Sequence, residues 1–338
     1  MMVSVIVPCY NEEDSITGLL TAIYNQTYPR NEIEVIISDG MSTDSTREKI
    51  ASFSADFPDL LIRVIDNKKK TIPAGLNQAI HASRGDYIVR LDAHSNPHPE
   101  YIYRSIQALE KELADNVGGV ISIQAANEGW MAQSIAIAAG HPLGVGDAKY
   151  RIGSGAREVD TVAFGAFRSS LIQKVGLFDE SLLANEDYEF NVRIRKAGGK
   201  IWLDPEIIAN YIARPTLRTL AAQYWRYGYW KLRMLVRYPE TFRWRQVSGL
   251  FVFSWLVLGT LSLWFPVARW LLSAEAIVYG SALIIAGAGS YRTTRKLLLG
   301  LGVPLAITTM HFSWGSGFLW SLIVYSFDKI FKKYTKKR

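Results

Sequence analysis

The sequence predicts an α/β unit built on a parallel, doubly wound sheet, followed by a helical region embedded in a membrane. Three observations carry this reading. Short β-branched runs alternate with helical stripes over the first part of the chain, polar residues gather directly after those runs, and the C-terminal third holds long stretches almost without charge. At 338 residues the chain has room for roughly two units of ~150 residues. Its 49% hydrophobic content excludes a mostly disordered chain and a disulfide mini-protein, and the single Cys9 excludes an intramolecular disulfide and fits a reducing cytosol.

The elements follow in order. Residues 3–7 are apolar and mostly β-branched, and Pro8 bounds them as a buried strand. Residues 12–24 set Ile16, Leu19, Leu20 and Ile23 on one helical stripe. Residues 33–38 form a second strand that ends at Asp39-Gly40, and 43–53 a helix opened by Ser/Thr/Asp capping chemistry. Residues 61–65 and 87–91 are further strands, with a helix over 73–83 between them. Alternation of this kind indicates a parallel sheet covered on both faces. Ligands of such sheets bind beyond the carboxyl ends of the strands. Tyr10-Asn11-Glu12, Asp39 and Asp92-Ala93-His94 lie at those ends, which locates a site.

Charge divides the chain near residue 215. Residues 1–215 carry 21 Lys and Arg against 28 Asp and Glu; residues 216–338 carry 17 against 3, with eight of the ten Trp. The basic excess sits beside apolar runs, so it points to a membrane surface and not to nucleic acid. Residues 247–272 hold one charge, Arg269; 273–290 hold Glu275 alone; 297–327 hold none. About 20 apolar residues span a bilayer core. The expected organisation is a catalytic domain over 1–215, amphipathic interfacial helices over 216–246, a transmembrane region over 247–328 and a basic tail over 329–338. Arg243, Arg245, Arg292, Arg295, Lys296 and the Lys-rich end suit positive-inside anchoring. Residues 247–264 are expected to cross outward and 270–289 to return. The last stretch, 297–327, reads either as one crossing, which puts the Lys-rich tail outside against the positive-inside rule, or as a re-entrant pair hinged at Gly315-Ser316-Gly317, which keeps the tail inside with each half short for a full span. No signal peptide is expected from these residues, since the first apolar run is five residues long and has no basic region before it.

Candidate chemistry comes from two constellations. Neither GxxxxGK[ST] nor GxGxxG follows a strand, and there are no Cys pairs or HExxH for zinc. Asp92 and His94, two apart at a strand end, can hold one divalent ion, Mg²⁺ or Mn²⁺, or are solvated loop polarity. Asn185-Glu186-Asp187 precedes an amphipathic helix through Phe190, Val192 and Ile194. The acid pair reads either as helix N-capping or as a carboxylate general base.

Together the residues resemble the family 2 glycosyltransferases, inverting nucleotide-sugar-dependent enzymes of the GT-A fold. The matching segments are Val5-Ile6-Val7-Pro8-Cys9-Tyr10-Asn11-Glu12-Glu13, Ile37-Ser38-Asp39-Gly40 with Ser42-Thr43-Asp44, Gly85 through His94, Val175 through Glu180, and Asn185-Glu186-Asp187. The likeness extends to the membrane-anchored succinoglycan type of exopolysaccharide enzyme, through Asp92-Ala93-His94 and His311-Phe312-Ser313-Trp314-Gly315-Ser316-Gly317-Phe318. It implies a GT-A, Rossmann-like nucleotide-sugar-binding domain followed by interfacial helices and C-terminal transmembrane helices. By the same resemblance Pro8, Tyr10 and Glu12 line the nucleotide pocket, Asp39 accepts a hydrogen bond from the base, and Asp92 ligates the metal. His94 stands where the family pattern carries a second Asp, and Asp187, after Glu186, falls where the catalytic base lies. Gln223-Tyr224-Trp225-Arg226-Tyr227 resembles the Gln-x-x-Arg-Trp motif of the synthase branch, with Tyr227 in place of Trp, and sets Gln223, Arg226 and Tyr227 on the acceptor or diphosphate side. Arg226 otherwise reads as an interfacial arginine.

The implied reaction moves a hexose such as glucose from a UDP-linked donor to a hydroxyl of a lipid-linked saccharide with inversion. The enzyme would sit in the inner membrane as a multi-pass protein with its catalytic domain in the cytoplasm, alongside a polysaccharide assembly complex. The alternatives are a polyprenyl-phosphate glycosyltransferase and a noncatalytic nucleotide-sugar-binding subunit of an export complex.

Overall fold

Strand and helix alternate through residue 90 of the computed structural model, which describes residues 1–243 and 248–335. The order is β1 (Val3–Cys9), α1 (Ile16–Tyr24), β2 (Ile33–Asp39), α2 (Thr46–Asp56), β3 (Leu61–Asp66), α3 (Ile72–Ala82) and β4 (Tyr87–Arg90). Then come β5 (Ser95–Pro97), α4 (Tyr101–Glu110), β6 (Asn116–Gln124), α5 (Trp130–Gly140) and α6 (Pro142–Val145). They are followed by α7 (Lys149–Ile152), β7 (Arg157–Glu158), β8 (Ala166–Arg168), α8 (Leu171–Val175), α9 (Glu186–Lys196) and β9 (Ile201–Ile212). The chain divides into two units: 1–122 with 149–212, and 123–148 with 213–338. The sequence places a single boundary at 215; residues 123–148, α5 and α6 among them, group with the later helices.

In the first unit the strands lie in the order β3-β2-β1-β4-β8-β6-β9-β5, with β7 also on β9. The stretch β3-β2-β1-β4 is parallel, as expected. Beyond it the sheet is mixed: β8 runs antiparallel to β4 and β6, and β5 and β7 run antiparallel to β9. The alternation of side chains along a strand explains the two covering layers. Val3, Val5 and Val7 pack with Ile16, Leu19, Leu20 and Ile23 of α1 and with Ile50 and Phe53 of α2. Ile6, Ile36 and Ile88 face the other way, onto Leu76, Ala79 and Ile80 of α3 and Phe190 and Ile194 of α9. Pro8 does not end β1. The β1–β4 pairing stops at Ile6 and Arg90, so Pro8 lies past the last rung on that side, where its missing N–H costs no ladder bond. From β1 the chain winds to β2 and β3 on one side and returns to β4 on the other. The crevice at that reversal, beyond the carboxyl ends of β1 and β4, is where such sheets bind ligands.

The second unit adds α10 (Leu217–Arg237), α11 (Ser248–Leu261), α12 (Pro266–Thr294) and α13 (Leu297–Thr335). Thr216 and Thr219 close a capping box at the start of α10. Leu220, Tyr224, Gly228, Leu232 and Leu235 form the buried face of α10, which packs along α13. At Gly228 an added Cβ would strike the Trp314 carbonyl, and at Gly317 it would strike the backbone of Trp225, so only glycine permits this approach of two helices.

Pro266–Thr294 and Leu297–Phe327 are each long and apolar enough to cross a membrane, with mean hydropathy 1.7 and 1.4. Trp270, Val278, Ile284 and Ile285 of α12 lie more than two thirds exposed, as lipid-facing side chains do. The expected crossing over 247–264 is not found in the described residues. The helix breaks between Leu261 and Pro266, and the described part of α11, 14 residues long, spans ~21 Å against a core of ~30 Å. Of the two readings of the last stretch, the hinge at Gly315–Gly317 is not found: α13 runs through it unbroken, and Gly317 serves the contact with α10. The boundary at 246 and 247, Arg245, and residues 336–338 of the basic tail lie outside the described residues.

Candidate active site

The loop after β1 is fastened to the segment that opens α2. Asn11, at φ +52°, donates its backbone N–H to Ser42 Oγ at 2.8 Å, and its Oδ1 accepts from the Thr43 N–H at 2.9 Å. Glu12 and Glu13 donate their N–H groups to Thr46 Oγ1 (2.8 Å) and Asp44 Oδ2 (3.2 Å), and Glu13 Oε2 accepts from the Ser45 N–H at 3.0 Å. The Ser42-Thr43-Asp44 run therefore does more than cap a helix. It sets the conformation of the loop that carries Tyr10 and Glu12.

Asp39, at the end of β2, is buried. Its Oδ1 accepts from Ser42 Oγ at 2.5 Å, and its Oδ2 from the Ser42 N–H at 3.1 Å and Arg47 Nε at 2.5 Å. Arg47 also donates to Asp66 Oδ1 at 2.5 Å. The carboxylate expected to meet a base is thus bound to Arg47, which sequence reasoning did not single out. Tyr10 is 47% exposed, with Lys70 Nζ 5.5 Å from its ring centroid. Cys9 is buried, and desolvation followed by the charges of Asp39, Glu12 and Asp44 pushes its thiol up to about 12, so it stays protonated and inert.

Across the crevice, β4 ends in Arg90, and Asp92 and His94 follow. His94 Nδ1 lies 3.2 Å from Glu12 Oε1, which joins the segments after β1 and β4. Ser95 donates its N–H (2.9 Å) and Oγ–H (2.7 Å) to the Asp92 carbonyl, and β5 pairs Ser95 with Tyr211, so the turn that carries Asp92 and His94 is held by β9.

Arg90 is buried. Its Nη2 donates to Asp92 Oδ1 at 3.2 Å and to Glu186 Oε1 at 2.9 Å, and its Nε lies 3.3 Å from Asp92 Oδ1. Burial works against its charge, but Asp92, Glu186 and Asp187 outweigh it and raise the guanidinium above its ordinary range. Burial also raises Glu186; Arg90 opposes that rise and Asp187 adds to it. Asn185, in the left-handed region at φ +65°, makes no side-chain cap bond to α9. Glu186 is buried against Arg90, while Asp187 stays half-buried and accepts from the Tyr188 N–H at 2.7 Å. The acid pair is therefore divided between an ion-pairing member and a member open to chemistry, which helix capping alone does not explain. The signal for Arg90 was present in the sequence: it is the lone charge in the apolar strand 87–91.

Among the described residues no group of three or more His, Cys, Asp or Glu could hold a metal by itself. Asp92 and His94 offer a carboxylate and an imidazole two residues apart, and Mg²⁺-type ions are commonly held by one or two protein ligands together with substrate phosphates. The donor set thus fits an ion shared with a bound diphosphate.

Gln223, Arg226 and Tyr227 lie on α10 in the second unit. Gln223 Nε2 donates to Tyr227 Oη at 3.0 Å, and Arg226 is exposed. In the same unit His311 of α13 bridges Leu143 and Tyr279. Its Nε2 is 2.8 Å from the Leu143 carbonyl, which can only accept, so Nε2 carries the proton and Nδ1 accepts from Tyr279 Oη at 3.1 Å. The His311–Phe318 stretch is thus a packing motif.

A mixed sheet with acidic residues gathered at its reversal is the GT-A architecture, and solved structures agree. The mannosyltransferase PcManGT from Pyrobaculum calidifontis, solved with GDP-Man and Mn²⁺, superposes with a TM-score of 0.61 at 21% identity, over 95% of this chain and 86% of that one. TarS residues 1–349 from S. aureus, solved with UDP-GlcNAc, gives 0.51 at 15% identity, over 94% and 90%. Residues 4–176 match Glycosyl transferase family 2, and the chain belongs to that family: it is a glycosyltransferase. It is similar to the succinoglycan biosynthesis protein ExoA of Rhizobium meliloti (strain 1021), 28% identical over 317 residues and 93% of each chain. A second relative, from Methanococcus voltae, is 29% identical over 233 residues, 67% of this chain and 71% of its own. It is named dolichyl N-acetyl-alpha-D-glucosaminyl phosphate 3-beta-D-2,3-diacetamido-2,3-dideoxy-beta-D-glucuronosyltransferase.

Proposed function

We propose that the protein transfers a hexose such as glucose from a UDP-sugar to a hydroxyl of a lipid-linked saccharide, with inversion, in exopolysaccharide or cell-surface glycan synthesis. The observation that carries this reading is the division of the acid pair. Glu186 is committed to Arg90, and Asp187 is left half-buried with its charge available. The names of the relatives support the setting, one being a succinoglycan biosynthesis protein and one acting on a dolichyl-linked saccharide.

In this mechanism the acceptor hydroxyl attacks the anomeric carbon as the bond to the nucleoside diphosphate breaks, and Asp187 takes the hydroxyl proton. One displacement with one base turns an α-linked donor into a β-glycoside. Pro8, Tyr10 and Glu12 line the nucleotide pocket, and Asp39 with Arg47 forms its base end. Asp92 and His94 would hold a divalent ion, Mg²⁺ or Mn²⁺, whose chemistry there would be charge neutralisation of the diphosphate. Gln223, Arg226 and Tyr227 keep the acceptor or diphosphate role that the resemblance implies. The site works at the cytoplasmic face of the inner membrane, in which α12 and α13 anchor the chain.

The test incubates membranes containing the protein with a panel of nucleotide sugars and lipid-linked acceptors, follows radiolabel into lipid, and digests the product with α- and β-specific glycosidases. Transfer from a UDP-hexose giving a β-linked product is expected. An α-linked product, or transfer only to a lipid phosphate, overturns the reading.

A further inference from the structure

We infer that Arg90 is a positioning residue that locks the metal-side Asp92 and the acid pair Glu186–Asp187 into one arrangement, taking Glu186 as counter-ion so that Asp187 alone serves as base. The inference rests on the proposed function and goes beyond it, in assigning the coupling of the donor and acceptor ends of the site to one buried cation.

Arg90 occupies a position where packing alone calls for an apolar residue. It pairs with Ile6 in the ladder between β1 and β4, its backbone N–H donates to the Gly165 carbonyl at 3.0 Å, and Tyr87, Ile88, Val89 and Leu91 around it are apolar and buried. Burying a cation in mid-sheet is costly unless it is paired. Here the pairing is incomplete, because Nη1 is buried without a hydrogen-bond partner. A side chain kept only for stability would not leave such a donor. What Arg90 does achieve is a fork: Nε and Nη2 both reach Asp92 Oδ1, and Nη2 also reaches Glu186 Oε1, so one planar group holds carboxylates 94 positions apart in the chain. Asp92 comes from the end of β4 and Glu186 from the first turn of α9. Without the fork each carboxylate is free to turn independently, and Glu186 is free to approach the acceptor in competition with Asp187. Lysine keeps the charge but is a point donor on a flexible stem and does not reproduce the planar fork.

The experiment compares Arg90→Met/Glu186→Met, Arg90→Lys and Asp92→Asn in the full-length protein in detergent. Thermal unfolding, Mn²⁺ binding by electron paramagnetic resonance with and without UDP, and kcat and donor KM are measured. The double substitution removes the buried Arg90–Glu186 pair as a unit and leaves Asp92, which is partly open to solvent, so it should unfold near the parent temperature. Its half-saturating Mn²⁺ concentration with UDP should nevertheless rise at least about tenfold, as loss of a partner that orients a ligand does. Its kcat should fall with it, and Arg90→Lys should lie between double variant and parent. Parental Mn²⁺ affinity and kcat in the double variant would mean that Arg90 only balances Glu186, and the inference falls. If the double variant does not fold, parental Mn²⁺ half-saturation in Arg90→Lys overturns it equally. Asp92→Asn separates the levels. If it loses Mn²⁺ while the Arg90 variants keep it, only the inference fails; if it binds Mn²⁺ and UDP like the parent, the metal assignment fails and the inference with it.

Discussion

Changing Asp187 to Asn removes the proton acceptor and little else. The amide oxygen can still accept from the Tyr188 N–H now 2.7 Å from Oδ1, so the first turn of α9 keeps its local bond. Arg90 retains Glu186 and Asp92 as hydrogen-bonded partners, so no buried cation is orphaned. The variant should fold and bind donor like the parent. A positioned general base contributes about 10²–10⁴-fold, which is ~2.7–5.4 kcal/mol of barrier, so kcat should drop at least about a hundredfold. Glu186→Gln works the other way. It takes the charge from the buried partner of Arg90, a loss on the order of 3 kcal/mol at the low end for broken buried pairs, or ~6–12 °C in Tm. The chemistry should suffer less than in Asp187→Asn. Initial rates of transfer and of donor hydrolysis, measured beside thermal unfolding, separate the two. Near-parental turnover in Asp187→Asn together with its loss in a folded Glu186→Gln would exchange the roles and refute the division of the pair.

Three further outcomes are expected. Asp92→Ala should abolish transfer, and EDTA should silence the parent until Mg²⁺ or Mn²⁺ is restored; full activity of Asp92→Ala in EDTA would remove the metal from the mechanism. Asp39→Ala leaves Arg47 with Asp66 and removes a carboxylate from the base end of the pocket, so donor KM should rise by the worth of one charge-assisted hydrogen bond, ~1.5–3 kcal/mol, while kcat changes little; unchanged UDP affinity by calorimetry would displace the pocket. Gly317→Val should destabilise the second unit by ~1–3 kcal/mol or more, because its side chain would meet the Trp225 backbone, and melting of the purified protein reads this directly.

Much of the catalytic unit was legible because its determinants are local. Residues 3–7, 33–38, 61–65 and 87–91 are strands because their own side chains suit buried β-structure; the first three fall within β1–β3, and the fourth overruns β4 by one residue. The strands β5 to β9 were not read. Three of them are two or three residues long, and they exist through pairing with partners distant in the chain, such as Ser95 with Tyr211 or Val117 with Ala166. The membrane runs were visible as composition, but where they bend was not. Pro266 starts a helix after a break, and Gly315–Gly317 passes straight through one, since whether a glycine marks a turn or a close contact depends on what lies beside it.

The sequence by itself determined the α/β class, the family, and the acids at the strand ends, because hydrophobic periodicity and short motifs are properties of neighbouring residues. Only the tertiary structure decided what each acid does. Asp39 turns out to be held by Arg47 and Glu186 to be spent on Arg90, each through a charge-assisted contact, while Asp187 stays half-buried. Ionisable groups interact through space, with energies set by distance and burial, and the chain order of Arg90, Asp92 and Glu186 carries neither.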